Sequence, residues 1–397
     1  MLAEERIIIN RVEKKSTIRE KVKSGVTFFL FILIGAVFGF CIAMALGSAE
    51  TGKSISELVM VSVFLPSLLV SYIVHIAAHE FGHVMMGKLT GYQFHSYRIF
   101  SFMFLKEDGK WKLKRYTIPG TLGQAIMIPP EKKDGRFPWF LYNLGGGLVN
   151  LVLAIIALVI YLLNPHISGI VAIILLCFIM VGLITGALNL IPFPPTLMAN
   201  DGSNMMAMAK DEIARECFYK QLSTVGNLAL NKRFMDYPLE YYSLPKEANL
   251  KCQVIACIKN HELLYYYEME DYNSAIKFLN TMEQVEGLPK ILKLSFDAER
   301  LFFECLQGPR EEVVEALCYK ELLNVLKQGK SMLDMQRILM AYEGLYHKDV
   351  EKAKMYYNRA RKLLESYPIK CVVDIEKRFL DEIKEKMEAP VTKEVEN

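Results

Sequence analysis

The fold class that the sequence predicts is mainly α: a polytopic membrane helix bundle of about four spans with a small β-hairpin insertion, followed by a soluble helical domain. Three observations predict it. Apolar residues make up 52% of the 397 positions, close to an ordinary proportion, but they are concentrated in the first half. From Phe137 to Asn200 there is no Asp, Glu, Lys or Arg, which a soluble core helix would not need. Aromatic and β-branched residues flank Lys106-Glu107-Asp108-Gly109-Lys110, and Asp-Gly is a strong hairpin signal.

In chain order, residues 1–24 form a basic arm carrying Arg6, Arg11, Lys14, Lys15, Arg19, Lys21 and Lys23. Its scattered isoleucines suit either a short amphipathic helix on anionic lipid or a solvated arm. The membrane domain is expected over 25–205, with spans near 26–46, 58–78, 139–163 and 170–190. The run from Val26 starts too late, and is too long, for an ordinary cleaved signal peptide, so a retained first helix is expected. The segment between the second and third spans holds ten Lys and Arg residues, whereas Lys53 is the single one in the two other loops. The positive-inside rule then puts the N-terminus, this segment and everything after the fourth span in the cytoplasm. The chain is expected to be a multi-pass protein of a bacterial cytoplasmic membrane. Nothing in the +3 net charge calls for a nucleic-acid partner. The hairpin over 92–118 suits either pairing with an extended peptide or capping the membrane face.

The sharpest motif is His79-Glu80-Phe81-Gly82-His83, where the second apolar run ends. On a helix this spacing sets two imidazoles one turn apart on one face, where both reach one zinc ion, and Glu80 beside them can take a proton from water. A catalytic zinc wants a third protein ligand. A histidine six residues on fails, because position 89 is Leu89, and Glu107 sits in the hairpin turn. At the end of the fourth span, Asn189-Leu190-Ile191-Pro192-Phe193-Pro194 breaks the helix, and Asn200-Asp201-Gly202 follows. Asp201 is either the third ligand, on the same side as His79 and His83, or the cap of a helix starting near Ser203. His75 is either a partner behind the ligands or a polar residue packed inside the bundle. Eight cysteines show no C-x-x-C pairing, so reduced, mostly buried thiols are expected; a zinc site on Cys252 and Cys257 is the lesser alternative.

Residues 206–397 are expected to form a cytoplasmic helical domain. Tyr266–Ala275 and Ala341–Ala353 each read as helix, acidic turn and second helix, and a Gly308-Pro309 turn falls between them. The offsets from Asp271 to Gly308 to Asp349 are 37 and 41 residues, near the period of tetratricopeptide-like hairpins. Such arrays present a concave surface to a protein partner; an ordinary helical bundle is the alternative.

H-E-x-x-H at one membrane helix, with N-x-x-P-x-P and Asp-Gly closing a later one, resembles the site-2 protease family of intramembrane zinc metalloproteases over about residues 55–205. The resemblance implies one zinc ion held by His79, His83 and Asp201, Glu80 as general base, and Asn189 in a substrate-positioning role. It also implies a membrane protein or hydrophobic peptide as substrate. Gly145-Gly146-Gly147-Leu148-Val149-Asn150 is similar to the family's small-residue and asparagine motif in its intervening helix. The family's spacing would place the acid at Leu197; here four more residues precede Asp201. Two rivals are a catalytically silent membrane scaffold binding partners through its helical repeats, and a divalent-metal transporter, for which four spans without inverted repeats are few.

Overall fold

The computed structural model describes residues 4–9, 57–107, 110–118, 121–164, 167, 169–192 and 199–389, with Gly35 and Gly39. Apart from those two glycines, the expected span 26–46 lies outside the described residues, as do the Asp108-Gly109 turn and Pro194.

Three described helices are long and apolar enough to cross a membrane: α1 (Glu57–Leu89), α2 (Trp139–Leu163) and α3 (Gly169–Leu190). Helix α1 runs well past the expected boundary near residue 78, so the H-E-x-x-H motif lies within it, not at its end. Nothing between Ala78 and Leu89 breaks a helix. It stops where Thr90 turns its hydroxyl back onto the Met86 carbonyl (2.8 Å) and Gly91 takes φ +89°, the left-handed conformation that ends helices.

The three helices pack on small residues. A Cβ on Gly82 of α1 would stand 2.3 Å from the Gly145 carbonyl oxygen of α2; only two glycines let the backbones meet there. Farther along, buried His75 is 3.2 Å from Asn150 Oδ1 and 3.0 Å from the Phe178 carbonyl, and Asn150 donates to Thr185 Oγ1 (3.1 Å). One polar chain thus crosses all three helices. His75 is the packed polar residue of the two expected alternatives.

Between α1 and α2 lies a four-stranded antiparallel sheet, where a hairpin was expected. Its strands are β1 (Gln93–Ile99), β2 (Phe102–Glu107), β3 (Lys110–Arg115) and β4 (Gly123–Ile128), in the order β3-β2-β1-β4. Strand β4 escaped the sequence because Gly123-Gln124-Ala125-Ile126-Met127-Ile128 does not alternate in polarity. Its burial alternates nonetheless, with Ala125 and Met127 buried. Tyr97 on β1 donates to the Ala77 carbonyl (2.6 Å), and Tyr142 on α2 to the Ala125 carbonyl (3.0 Å), so the sheet is fastened to two membrane helices. On β2 and β3, Phe102, Phe104, Trp111 and Leu113 are exposed.

After α3 the chain continues through α4 (Asp201–Lys210) and α5 (Glu212–Ala229) into a helical domain: α6 (Gln253–Ala256), α7 (Ile258–Glu268), α8 (Tyr272–Glu283), α9 (Lys290–Leu306), α10 (Glu311–Leu317), α11 (Lys320–Gln328), α12 (Leu333–Ala341), α13 (Val350–Ser366) and α14 (Lys370–Glu388). Its core joins Tyr267, Phe302, Phe303, Ile338 and Phe379. Arg337 is buried there over the Phe302 ring, 2.7 Å from Glu299 and 2.8 Å from Glu376. The two acidic turns noted in the sequence share one geometry. Glu270 and Lys348 have φ of +57° and +58°, and Asp271 and Asp349 then cap α8 and α13 by accepting Ser274 and Lys352 N–H, each at 3.0 Å. Gly308 likewise has positive φ.

Residues 4–9, expected in a solvated or lipid-lying arm, instead run extended against this domain, with Ile7 buried in its core. The hydrophobic effect decides this: Ile7 enters the domain's core and Ile9 packs against it, while Ile8 faces outward. All described cysteines are free; 177, 217, 305 and 371 are buried and 252, 257 and 318 partly so.

Candidate metal centre

Among the described residues, His79, His83 and Asp201 form a group able to hold a metal ion. The two imidazoles come from successive turns of α1. Asp201 Oδ2 is 3.3 Å from His79 Nε2 and 3.4 Å from His83 Nε2, and the two Nε2 atoms are 3.1 Å apart. The three atoms form a nearly equilateral triangle. Ligand atoms 2.0–2.1 Å from a tetrahedral zinc ion are separated by about 3.3 Å, so the group fits that ion without rearrangement.

Protonation chemistry points the same way. His83 Nδ1 is 2.7 Å from the Tyr142 carbonyl, which can only accept, so a neutral His83 carries its proton on Nδ1 and turns the Nε2 lone pair into the triangle. Asp201 Oδ2 is buried without a hydrogen-bond partner. Lone-pair atoms this close repel one another unless a cation or a shared proton lies among them.

Asp201 reaches the histidines because Asn200 does the capping. The Asn200 side-chain oxygen accepts Ser203 N–H (2.9 Å), while its amide donates to the Leu188 and Ile191 carbonyls, both at 2.6 Å. One side chain thereby starts α4 and satisfies the end of α3. Asp201, as the first residue of α4, is left free to face α1. On the other side, Gly146 of α2 lies beneath the imidazoles: a Cβ there would be 2.5 Å from His79 Cε1 and 2.6 Å from His83 Nε2.

A cavity of about 400 Å³ opens beside the triad, lined by His79, Glu80, Gly123, Asn189 and Asn200 among others. Glu80 is packed over Gly123 at the start of β4. Asn189 donates to the Thr185 carbonyl one turn back (2.8 Å), which holds its side chain along the cavity wall. The segment before β4 is held by Arg98, which is buried and donates to the carbonyls of Phe100 (2.7 Å) and Gly123 (3.3 Å) and to the Thr121 hydroxyl. All five residues singled out in the sequence therefore lie at one place: His79, His83 and Asp201 in the triangle, Glu80 and Asn189 on the cavity wall. Asn200, Tyr142 and Arg98 were not foreseen. Asn200 had a legible signal, an asparagine three residues before Ser203 in a helix-start context; Tyr142 acts through its backbone and Arg98 through a loop, and neither leaves a motif.

Comparison with protein-family models, with curated proteins and with solved structures finds no match to this chain. The chemistry of the site rests on its own geometry.

Proposed function

We propose that this chain is an intramembrane zinc metalloprotease that hydrolyses peptide bonds of membrane-embedded substrates at the cytoplasmic side of the bilayer. The observation that carries the reading is the triangle of His79 and His83, on a membrane-length helix, with Asp201, which follows the last such helix, and with a carboxylate, Glu80, on the wall of the adjoining cavity. Ionisable groups at such depth are costly and belong to function.

His79, His83 and Asp201 would hold the zinc ion, which when bound supplies a Lewis acid that lowers the pKa of water and offsets charge developing on the scissile carbonyl. Glu80 takes the proton from the attacking water and passes it to the leaving amine. Asn189, on the same wall, orients the substrate carbonyl. Strand β4 is the sheet's edge on that side and begins at Glu80, so an unwound substrate segment can lie along it in extended form. The exposed aromatic residues of β2 and β3 suit contact with lipid.

Two positions support the proposed topology. Residues 4–9 are seated on the helical domain, which continues from the site end of α3. Ser62 stands about 25 Å of helix away from His79 at the other end of α1. A membrane-spanning reading requires one crossing between residues 9 and 57, for which the sequence offers the uncharged run 26–46, outside the described residues but for Gly35 and Gly39. N- and C-termini are then cytoplasmic, in keeping with the lysine and arginine distribution, and the membrane is a bacterial cytoplasmic one. The helical domain, with its recurring turns, is tetratricopeptide-like and holds a protein partner or substrate segment. A non-catalytic scaffold is the second reading; it is favoured by the seating of residues 4–9 but assigns no task to the triangle.

The test is cleavage of single-span substrates in proteoliposomes by the wild type and by Glu80→Gln at equal zinc content. Cleavage abolished in the variant with zinc retained is expected. Equal cleavage by both would end the proposal.

A further inference from the structure

Residues 4–9 are held in an unusual way. Among the described residues, six of their backbone polar groups are bonded, and each goes to a side chain of the helical domain. Glu5 N–H is accepted by Asn273 Oδ1 (3.1 Å) and the Glu5 carbonyl by Gln307 (2.8 Å). Asn280 grips both directions at once, donating to the Arg6 carbonyl (2.8 Å) and accepting Ile8 N–H (2.9 Å). Arg310 donates to the Ile7 carbonyl (2.7 Å) and Arg300 to the Ile8 carbonyl. Asn273 and Asn280 are seven residues apart on α8, hence two turns apart on one face.

Within a folded chain, about two-thirds of hydrogen bonds join backbone to backbone. An extended segment with no strand beside it among the described residues, satisfied by five side chains from α8, α9 and the turn after α9, is bound as a receptor binds a ligand. Side-chain contacts supply selectivity. Ile7 is 1% exposed in the core, while Ile8 points outward at 53%. Arg6 pairs with buried Glu304 (3.3 Å) and donates to the carbonyls of Gln307 (2.6 Å) and Gly308 (2.9 Å). Glu304 is also held by Arg310 at 2.8 Å, so the acidic pocket for Arg6 is preformed.

We propose that the groove between α8 and α9 is a binding site for extended peptides carrying a basic residue followed by a β-branched apolar one, and that residues 4–9 occupy it as a competitor in cis. Backbone bonds to Asn273, Asn280, Arg300, Gln307 and Arg310 accept any such segment; Glu304 and the Ile7 pocket choose among them. A peptide in trans gains the same contacts once the tethered segment leaves. The site's affinity is therefore masked by the fraction of time the groove is free. This inference is independent of the metal centre, and its test needs no proteolysis.

The experiment uses the full chain in lipid nanodiscs and, as probe, a fluorescein-labelled peptide of residues 4–10 (EERIIIN), read by fluorescence anisotropy. Ile7→Asp removes the cis segment's anchor and leaves the groove untouched, so the probe should bind this variant at least about tenfold more tightly than wild type. Adding Asn280→Ala to Ile7→Asp should abolish that gain. Equal binding to wild type and Ile7→Asp, or no binding to either, overturns the proposal. Should Ile7→Asp fail to fold, hydrogen exchange on the wild type decides. Excess unlabelled peptide should speed exchange at the cis Ile8 amide, and an unchanged rate overturns the proposal as firmly.

Discussion

Two carboxylates serve one site under different constraints. Asp201 is fixed at the first position of α4, with Asn200 supplying both the cap of α4 and the bonds to the end of α3. Glu80 lies on a helix face with the cavity open beside it. In the proposed function Asp201 is a ligand and must be rigid, whereas Glu80 is a base and must reach water. Replacing Glu80 by Gln should leave one zinc per chain and lower kcat/KM by about 10²- to 10⁴-fold, as measured by metal analysis and substrate cleavage on the same sample. A variant that loses its zinc as well would make Glu80 a structural or ligating group. Asn200→Ala should cost about 1 kcal/mol in thermal stability and, by releasing Asp201, weaken zinc binding by about 10- to 100-fold. Chelator competition measures the second effect, and unchanged zinc affinity would show that Asp201 is held by something other than its neighbour.

At the scale of elements, the contact between α1 and α2 sets the geometry. Gly82 and Gly145 allow the backbones to touch, and Gly146 leaves room for both imidazoles. A methyl at position 146 would fall within 2.6 Å of His83 Nε2, inside van der Waals contact, so the rings must tilt. Gly146→Ala should therefore lower zinc affinity at least about tenfold while far-UV circular dichroism stays that of the wild type; full affinity in a folded variant would mean that the helices separate without cost. Strand β4 depends on Arg98 at its start. If β4 receives the substrate as proposed, Arg98→Gln should raise KM with zinc stoichiometry unchanged, because that edge strand, not the metal, loses its anchor; a variant with wild-type KM removes Arg98 from substrate positioning.

At the scale of the whole molecule, the helical domain carries a pH dependence of its own. His261 packs between the rings of Phe234 and Tyr242, and burial lowers its pKa to about 4. The unfolded ring titrates near 6.5. Stability from the neutral ring is thus fully present above pH 6.5 and is lost as pH falls toward 4, up to roughly 3 kcal/mol. Glu376 and Asp334 act in the opposite sense: burial raises them to about 7 and 6, so the folded state holds protons that the unfolded chain releases, and stability from these groups grows as pH falls from 7. Comparing wild type with H261F separates the two. The melting-temperature advantage of H261F should widen steadily from pH 6.5 to 4 and be constant above 7; a constant difference throughout would mean that His261 titrates alike in the folded and unfolded chain, so that burial does not disfavour its charged form.

How much of this was legible follows from the range of the forces involved. Charge-free runs, the one-turn spacing of His79 and His83, and the acidic turns before α8 and α13 are local patterns, and local patterns dictate helices, lone-pair directions and caps directly. The same locality hid strand β4, whose two faces are both apolar in composition, and the continuation of α1 past residue 78, which no breaker marks. It also hid the seat of residues 4–9, since isoleucines in a basic arm look alike whether they meet lipid, water or protein. The sequence by itself determined that two histidines share one helix face with a glutamate beside them, and that Asp201 is the first acid after the long uncharged stretch. Only the tertiary structure decided that Asn200 takes the cap, that Gly146 makes room beneath the imidazoles, and that the three ligand atoms meet within 3.4 Å. Those distances depend on how the helices pack, and packing is settled by shape across residues more than sixty positions apart, where no periodicity in the chain can record it.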